Sequence, residues 1–591
     1  MNELNSNLKL SIATKYQYLI IGLLAFFVYA NTLNNGFVLD DDVVFLKNQF
    51  VQNGVQGIPD ILSHGFLYGF NQKNDQSYRP LVLINYAIFH SILGNNAKAF
   101  HLLNVLYFIV CCLLLFYWLN QISRLSSVAF WASILFALHP IHTEVVANVK
   151  GTDELLHFIF AMLTLIYFWK YNKKGALKHL WLSILCFALA LLCKEIALTL
   201  LFIVPHSLYF FTKESISGIV KQSWPLAIVV VAYFLVRNAI LDTVAFEEQM
   251  KVINNGIAAA NSYSERLATT IFILSEYIKL LFFPHPLAWD YSYPHFPIVG
   301  FNHWRVFATL ITFSLALIGV IKGLKSRNVF SFLFFFFCAS FALTSNFIIL
   351  IGSTLGERFL FFPSIAFVIF IPMIVNMAVD SFNLKAKQSK LFVIAILGTI
   401  SILFFLKTID RNRDWESNST LFASGVKATP NNSRAQAAMG SVYREIAEQN
   451  PNPQLKQKNF KLAATHYRKS VELLHDNSNA WYNLGVTYMG MGNTAKAKQA
   501  FEETIQLEPS YLNALNNLGV LYFNEKDFNQ AESYFKQCLE YNINFQNAYA
   551  NLGAVYHNQG QYEMARQFYQ KALELNPTDV NVQQNLQKLP H

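Results

Sequence analysis

Up to about Lys407 the chain reads as apolar blocks of about 15 to 20 residues parted by short basic loops, and after Asp410 no such block recurs. Blocks of that length predict membrane-spanning helices. They fall near 16–33, 99–119, 125–139, 154–170, 177–193, 195–212, 225–241, 305–321, 329–350, 359–379 and 391–408. Two further apolar stretches, 81–93 and 266–284, spoil the alternation of sides if they cross fully, and are read as short, re-entrant or interfacial. Lys9 and Lys15 place the N-terminal end in the cytoplasm by the positive-inside rule. Arg124, the cluster Lys170 to Lys178, Lys213 with Lys221, Lys322 to Arg327 and Lys385 to Lys390 mark further cytoplasmic loops. About 11 crossings result, an odd number that puts the tail outside the cytoplasm.

The tail has a different pattern. Ala480, Ala514 and Ala548 are spaced by 34, as are Leu484, Leu518 and Leu552, then Gly485, Gly519 and Gly553, then Tyr488, Tyr522 and Tyr556. Ala497, Ala531 and Ala565 continue the period, followed by Phe501, Phe535 and Tyr569. A 34-residue helix–turn–helix unit with small residues where helices meet and large ones in the seam is the tetratricopeptide repeat. The fold class is therefore all-α: a polytopic membrane domain over 1–409, a capping half-repeat or linker over 410–430, and an α-solenoid over 431–591. The solenoid has one degenerate unit and three clear ones from about 479. Such arrays offer a concave face to extended polypeptide. Most repeated positions are plain repeat core, so recognition is expected on the residues between them, and Asn483, Asn517 and Asn551 are the candidates for holding a peptide backbone.

Composition agrees with this division. The 591 residues are 54% hydrophobic and only 14% charged, against about 25% in soluble domains, which excludes one ordinary water-soluble protein. A mean hydropathy of +0.30 is too low for a wholly membrane-embedded chain. The formal charge of +9 reflects loop lysines that set topology, and no nucleic-acid partner is expected. Cys538 is alone in the tail, so an oxidising compartment is neither required nor excluded. No signal-peptide cleavage pattern follows the first block, which is long enough to remain a span.

Charged residues beside apolar spans are costly and therefore informative. On the predicted outer side stand Asp40, Asp41 and Asp42 after the first span, Arg79 at the end of the first loop, and His139, His142 and Glu144 after the third span. Lys194 and Glu195 form an outer turn, Arg237 ends a span, and Glu357 and Arg358 fill another turn. The acids could act in catalysis or be a solvated loop. The histidines with Glu144 could bind a divalent metal or be hydrogen-bonded structure. Lys194–Glu195 and Glu357–Arg358 could be local ion pairs. Arg79, Lys194, Arg237 and Arg358, basic on the side that lysine and arginine avoid, suit a lipid phosphate.

The segments Phe37-Val-Leu-Asp-Asp41, Tyr78-Arg-Pro80, Phe136-Ala-Leu-His-Pro-Ile-His-Thr-Glu144, Lys194-Glu195, Tyr233-Phe-Leu-Val-Arg237 and Glu357-Arg-Phe-Leu-Phe-Phe-Pro-Ser364 occur in this order ahead of the repeats. In order and spacing they resemble the TMTC family, the transmembrane and tetratricopeptide-repeat O-mannosyltransferases. The resemblance implies a GT-C glycosyltransferase fold, a lipid-phosphate-linked sugar donor and an acidic residue in the first outer loop, which maps to Asp40 and Asp41. Where family members usually read Gly-Arg-Ala-Asp, this chain has Gly151-Thr152-Asp153-Glu154, so no donor contact transfers to that position.

The resulting expectation is transfer of a hexose, mannose by the resemblance, from a polyprenyl-phosphate carrier to Ser or Thr of a protein. Asp41 or Asp40 takes the hydroxyl proton, and the basic residues stabilise the leaving phosphate. Two alternatives stand beside it: a GT-C enzyme with a glycan or lipid acceptor, and a non-catalytic scaffold assembling an envelope complex through its repeats. The expected site is the bacterial inner membrane with periplasmic repeats, or the endoplasmic reticulum with luminal repeats in a eukaryote.

Overall fold

The computed structural model describes residues 12–74, 76–241, 250–382 and 384–590, and Lys9 lies outside the described residues. Among them the regular elements are all helical. The chain forms two compact units, one running to Tyr291 and from Phe296 to Ala428, the other comprising Ser292–His295 and the chain from Thr429 on.

Among the described residues of the first unit seven helices are long and apolar enough to cross a membrane. They are Thr14–Asn34, Ala97–Gln121, Val149–Lys174, Ile216–Leu241, Trp304–Leu324, Ser364–Ser381 and Ala386–Asp414. Ala129–Leu138 and Pro140–Val146 pass the same test only when taken together, and meet at a bend of 53° at Pro140, which cannot donate to the helical ladder. The other three expected crossings coincide with shorter apolar helices, Leu177–Cys193, Glu195–Phe211 and Val329–Thr344. Phe307, Leu315 and Ile318 on Trp304–Leu324 are exposed, as befits a lipid-facing surface. Of the two stretches that break the alternation, Pro80–Leu93 has 14 residues and reaches only about 21 Å as a helix, short of a bilayer core. The other, Tyr263–Phe282, carries Glu265, Arg266, Glu276 and Lys279 and is amphipathic.

The stretch after the last span packs within this first unit. Trp415 and Leu421 are buried with Val38 and Ala147, Gly36 donates its N–H to the Glu416 carbonyl at 3.0 Å, and Leu39 donates to Asn418 Oδ1 at 2.9 Å. Helix Asn418–Ala428 thus braces the loop that carries the three aspartates.

The second unit is a run of helix pairs: Ser433–Gln449 with Pro453–Leu473, Ser478–Gly490 with Thr494–Leu507, Leu512–Asn524 with Phe528–Tyr541, and Gln546–Asn558 with Tyr562–Leu575. Its periodic glycines have one cause. A Cβ at Gly485, Gly519 or Gly553 would lie 2.5, 2.6 or 2.5 Å from the ring of Phe501, Phe535 or Tyr569, so the ring of each second helix needs a bare backbone on the first.

Candidate active site

Leu39 holds a left-handed φ of 50°, a conformation that costs a non-glycine residue about 1 kcal/mol or more. The tie to Asn418 and the Trp415 cluster keep it there. Beyond this strained residue the three acids diverge. Asp41 is fully buried; its Oδ2 accepts the Val38 N–H at 2.9 Å and its Oδ1 the Lys150 N–H at 2.7 Å. Burial pushes its pKa up to about 7, with Asp40 adding to the rise and the backbone donors opposing it. Asp41 therefore stitches the acidic loop to the turn before helix Thr152–Lys174. Asp42 pairs with Lys47 at 2.6 Å at the surface. Asp40 is exposed and lies within electrostatic reach of both Lys150 and Arg358.

Behind it is a connected set of charges. Asp153 Oδ2 lies 3.1 Å from Arg79 Nη1, 3.2 Å from Lys150 Nζ and 3.5 Å from Lys194 Nζ. Arg79 Nε donates to Glu195 Oε2 at 3.0 Å, and Lys194 pairs with Glu154. Three cations meet three carboxylates, so the set is neutral, and Asp153 is buried to 1% exposure. Burial disfavours the Arg79 cation, but Glu195 and Asp153 outweigh it, so its pKa lies above the ordinary guanidinium value. Arg358 donates to Glu144 from its backbone N–H at 2.8 Å and from its guanidinium. Here too burial is outweighed, by Glu144 and Asp40, and the pKa is raised. Glu357 is fully buried, accepting from Ala288 N–H at 2.7 Å and Tyr291 O–H at 2.8 Å. Burial lifts its pKa to about 7 against the pull of Arg411.

Two expectations about pairing change. Lys194 and Glu195 do not pair with each other, and neither do Glu357 and Arg358. Each turns to a partner from another segment: Glu154, Arg79, Arg411 and Glu144 respectively. Arg237 stands apart from the ion network, donating to the Gln76 carbonyl at 2.6 Å.

The histidines are engaged as structure. His139 Nε2 meets the Leu281 carbonyl at 2.9 Å while its Nδ1 accepts from Ile141 N–H. His142 Nδ1 meets the Phe136 carbonyl at 2.9 Å and its Nε2 meets Ser364 Oγ at 3.0 Å. With Glu144 taken by Arg358, the expected metal trio does not converge. Among the described residues no group of three His, Cys, Asp or Glu could hold a metal ion.

Lys150 was missed as a functional candidate, while Asp153 and Glu154 lie in the segment that departs from the family's pattern and prove to be ion-pair partners. Lys150 is a basic residue beside a span on the same predicted side as Arg79, a signal of the same kind that marked Arg79. The same unit also contains an apolar cleft of about 520 Å³, lined by Phe313, Phe334, Phe337, Phe367 and Phe370 among others.

Residues 78–240, which include Arg79, Lys150, Asp153, Lys194 and Arg237, match the Dolichyl-phosphate-mannose-protein mannosyltransferase family. Residues 478–511, 512–545 and 547–579 match the Tetratricopeptide repeat. The human Protein O-mannosyl-transferase TMTC3 is 26% identical over 82% of this chain and 54% of its own length. The Caenorhabditis elegans Protein O-mannosyl-transferase F38B6.6 is 27% identical over 72% of this chain and 59% of its own length. Human TMTC4 is 26% identical over 73% of this chain and 64% of its own. The chain thus spans little more than half the length of these curated relatives. Carrying both the mannosyltransferase segment and the repeats, this all-helical chain is similar to the TMTC proteins, the transmembrane and tetratricopeptide-repeat O-mannosyltransferases.

Proposed function

We propose that this chain moves a mannosyl group from a polyprenyl-phosphate carrier to a Ser or Thr hydroxyl of a protein on the non-cytoplasmic side of the membrane. In a bacterium that is the periplasmic face of the inner membrane. The observation that carries the reading is Asp40, an exposed carboxylate within electrostatic reach of Lys150 and Arg358, in a loop tied down by the buried Asp41.

An alcohol is a poor nucleophile, so Asp40 accepts the hydroxyl proton as the new C1–O bond forms. The C1–O bond to phosphate breaks in the same displacement, the polyprenyl phosphate departs with the bonding pair, and the anomeric centre inverts. Lys150 and Arg358 meet the charge that grows on the phosphate, in a site shielded enough for fixed cations to act strongly. Arg79 and Lys194 hold Asp153 and Glu154 in place behind them. Arg237 stands at the rim and meets the carrier's phosphate as it arrives. The apolar cleft suits the isoprenoid chain of the donor. The repeats hold the acceptor polypeptide on the same chain as the site, which raises its effective concentration.

The test is incubation of the purified full chain in lipid nanodiscs with radiolabelled polyprenyl-phosphate mannose and a peptide rich in Ser and Thr. Asp40→Asn is expected to lower transfer by about 10²–10⁴-fold with the thermal midpoint unchanged. Full transfer by that variant overturns the assignment of the base, and label found only in glycan or lipid overturns the protein acceptor.

A further inference from the structure

The degenerate repeat is built and charged unlike the three regular ones. Its second helix, Pro453–Leu473, has 21 residues where those of the regular units have 14. With Ala463 in the place of Ala497, the counterpart of Thr494 is Phe460, so the whole excess lies at the start, over 453–459. Its first helix, Ser433–Gln449, has 17 residues against 13. The hairpin therefore overhangs the array, by about 10 Å along the second helix.

The long helix is also strongly basic. It carries Lys456, Lys458, Lys461, Arg468 and Lys469 against the single acid Glu472, while the second helices of the regular units have no net positive charge. Lys458, Lys461, Arg468 and Lys469 fall within about 100° of arc around the helix, opposite the buried Phe460, Ala463, Tyr467 and Val471. All four are exposed, and no ion pair among the described residues involves them. Like charges at i,i+3, such as Lys458 and Lys461, weaken a helix slightly, so helix stability does not account for the stripe. The acids of the facing helix are engaged, Glu448 with Arg444 at 2.6 Å and Glu445 with the Gln449 amide at 3.3 Å. At the overhanging end two apolar side chains, Ile446 and Leu455, are 42% and 46% exposed.

We propose that this overhanging hairpin docks on an anionic lipid surface, that of the membrane the chain spans. The docking stands apart from the transferase reading and needs no acceptor. It also lies away from the first helices that carry Asn483, Asn517 and Asn551, whose side-chain NH₂ groups donate within the array. Two features together favour lipid over an acidic polypeptide. Cations along the exposed side of a helix match a plane of phosphates, and each Lys or Arg near such a surface favours the bound position by about fivefold. Exposed aliphatic side chains beside them fit the boundary of headgroups and acyl chains, whereas a purely acidic segment would leave them in water. The unit is also the one that follows the last span, which ends at Asp414, with only helix Asn418–Ala428 between. That short tether keeps lipid at high effective concentration.

The experiment uses the full chain with Gln454→Cys, labelled with an environment-sensitive fluorophore, after subtraction of the signal from the parent chain labelled alike. It sits in nanodiscs of phosphatidylcholine alone or with about 30 mol% phosphatidylglycerol, and quenching by lipid spin-labelled near the headgroup is the readout. Quenching is expected to be at least about threefold stronger in the anionic discs, and 0.5 M salt should bring it down to the level in neutral ones. The variant Lys458→Glu/Lys461→Glu/Arg468→Glu/Lys469→Glu should lose the difference at an unchanged thermal midpoint, because the four side chains are exposed and unpaired. Lys536→Glu/Lys571→Glu, on the regular repeats, should keep it. Equal quenching in the two kinds of disc, or a difference that survives the charge reversal, overturns the inference. So does a shift of the fluorophore on adding poly-glutamate to neutral discs that exceeds the shift produced by phosphatidylglycerol, which would assign the face to an acidic polypeptide.

Discussion

The two units are held by opposite means. In the repeats a ring sits on a glycine every 34 residues, and each contact joins helices that are neighbours in sequence. In the membrane unit the central carboxylate, Asp153, is met by Arg79, Lys150 and Lys194, two of them far from it in the chain. Packing between neighbours is local, repeatable and tolerant. A buried charge set is non-local, occurs once, and works only when complete. The membrane unit is therefore the brittle one, and the comparison can be broken by removing one group from each.

The largest effect is expected at Asp153. Asp153→Ala leaves Lys150 without its carboxylate and the buried set with one uncompensated positive charge, and truncating one partner of a buried ion pair costs about 3–5 kcal/mol. Thermal unfolding in detergent should show a fall in midpoint of many degrees together with loss of transfer. A variant that melts like the wild type would show that the set is solvated and not structural. Phe535→Ala is the counterpart in the repeats. Large-to-small changes of this kind cost about 3–5 kcal/mol, and in a quasi-one-dimensional array the loss is confined to neighbouring units. Proteolysis should nick the chain near residues 510–560 while the membrane unit stays intact. Simultaneous loss of both units would overturn the contrast.

The same contrast decides what was legible in the sequence. The repeats were readable because each unit restates the spacing. The spans were readable because a lipid-facing helix such as Trp304–Leu324 must be apolar along its length. Partners in the site were not. Lys194 and Glu195 are adjacent in sequence, yet the turn between helices sends one side chain to Glu154 and the other to Arg79. The partner of His139 is a carbonyl 142 residues away, which no local spacing announces. Among Asp40, Asp41 and Asp42 the sequence offered three equal carboxylates, and only burial separates Asp41, which stitches the loop, from the exposed Asp40. The role of Lys150 has no local mark in the sequence, because it depends on Asp153, whose other partners Arg79 and Lys194 come from distant segments.

A middle-sized effect follows from Asp41. Its pKa is raised by burial from an unfolded value near 4 to about 7 in the folded unit. Between those values the folded state binds the extra proton, so stability falls as pH rises from about 4 to about 7 and levels off above. Thermal midpoints measured in detergent across that window should decline in the wild type and decline less in Asp41→Asn. A midpoint that rises through the window in both would mean that Asp41 is solvated.

The smallest effect sharpens the point that distance does not decide the strength of a charge pair. Lys571 and Glu574 lie 2.7 Å apart, closer than any of the three cations to Asp153, but their side chains are 50% and 62% exposed. Water already solvates both ions, each must give up rotamer freedom to meet, and salt screens what remains. Asp153, by contrast, has no solvent to replace a lost partner. Lys571→Ala should therefore shift the midpoint of the repeats by no more than about 1 °C, and 0.5 M salt should leave even that shift undetectable. A fall comparable with that of Phe535→Ala would show that surface charge, and not ring-on-glycine packing, holds the array.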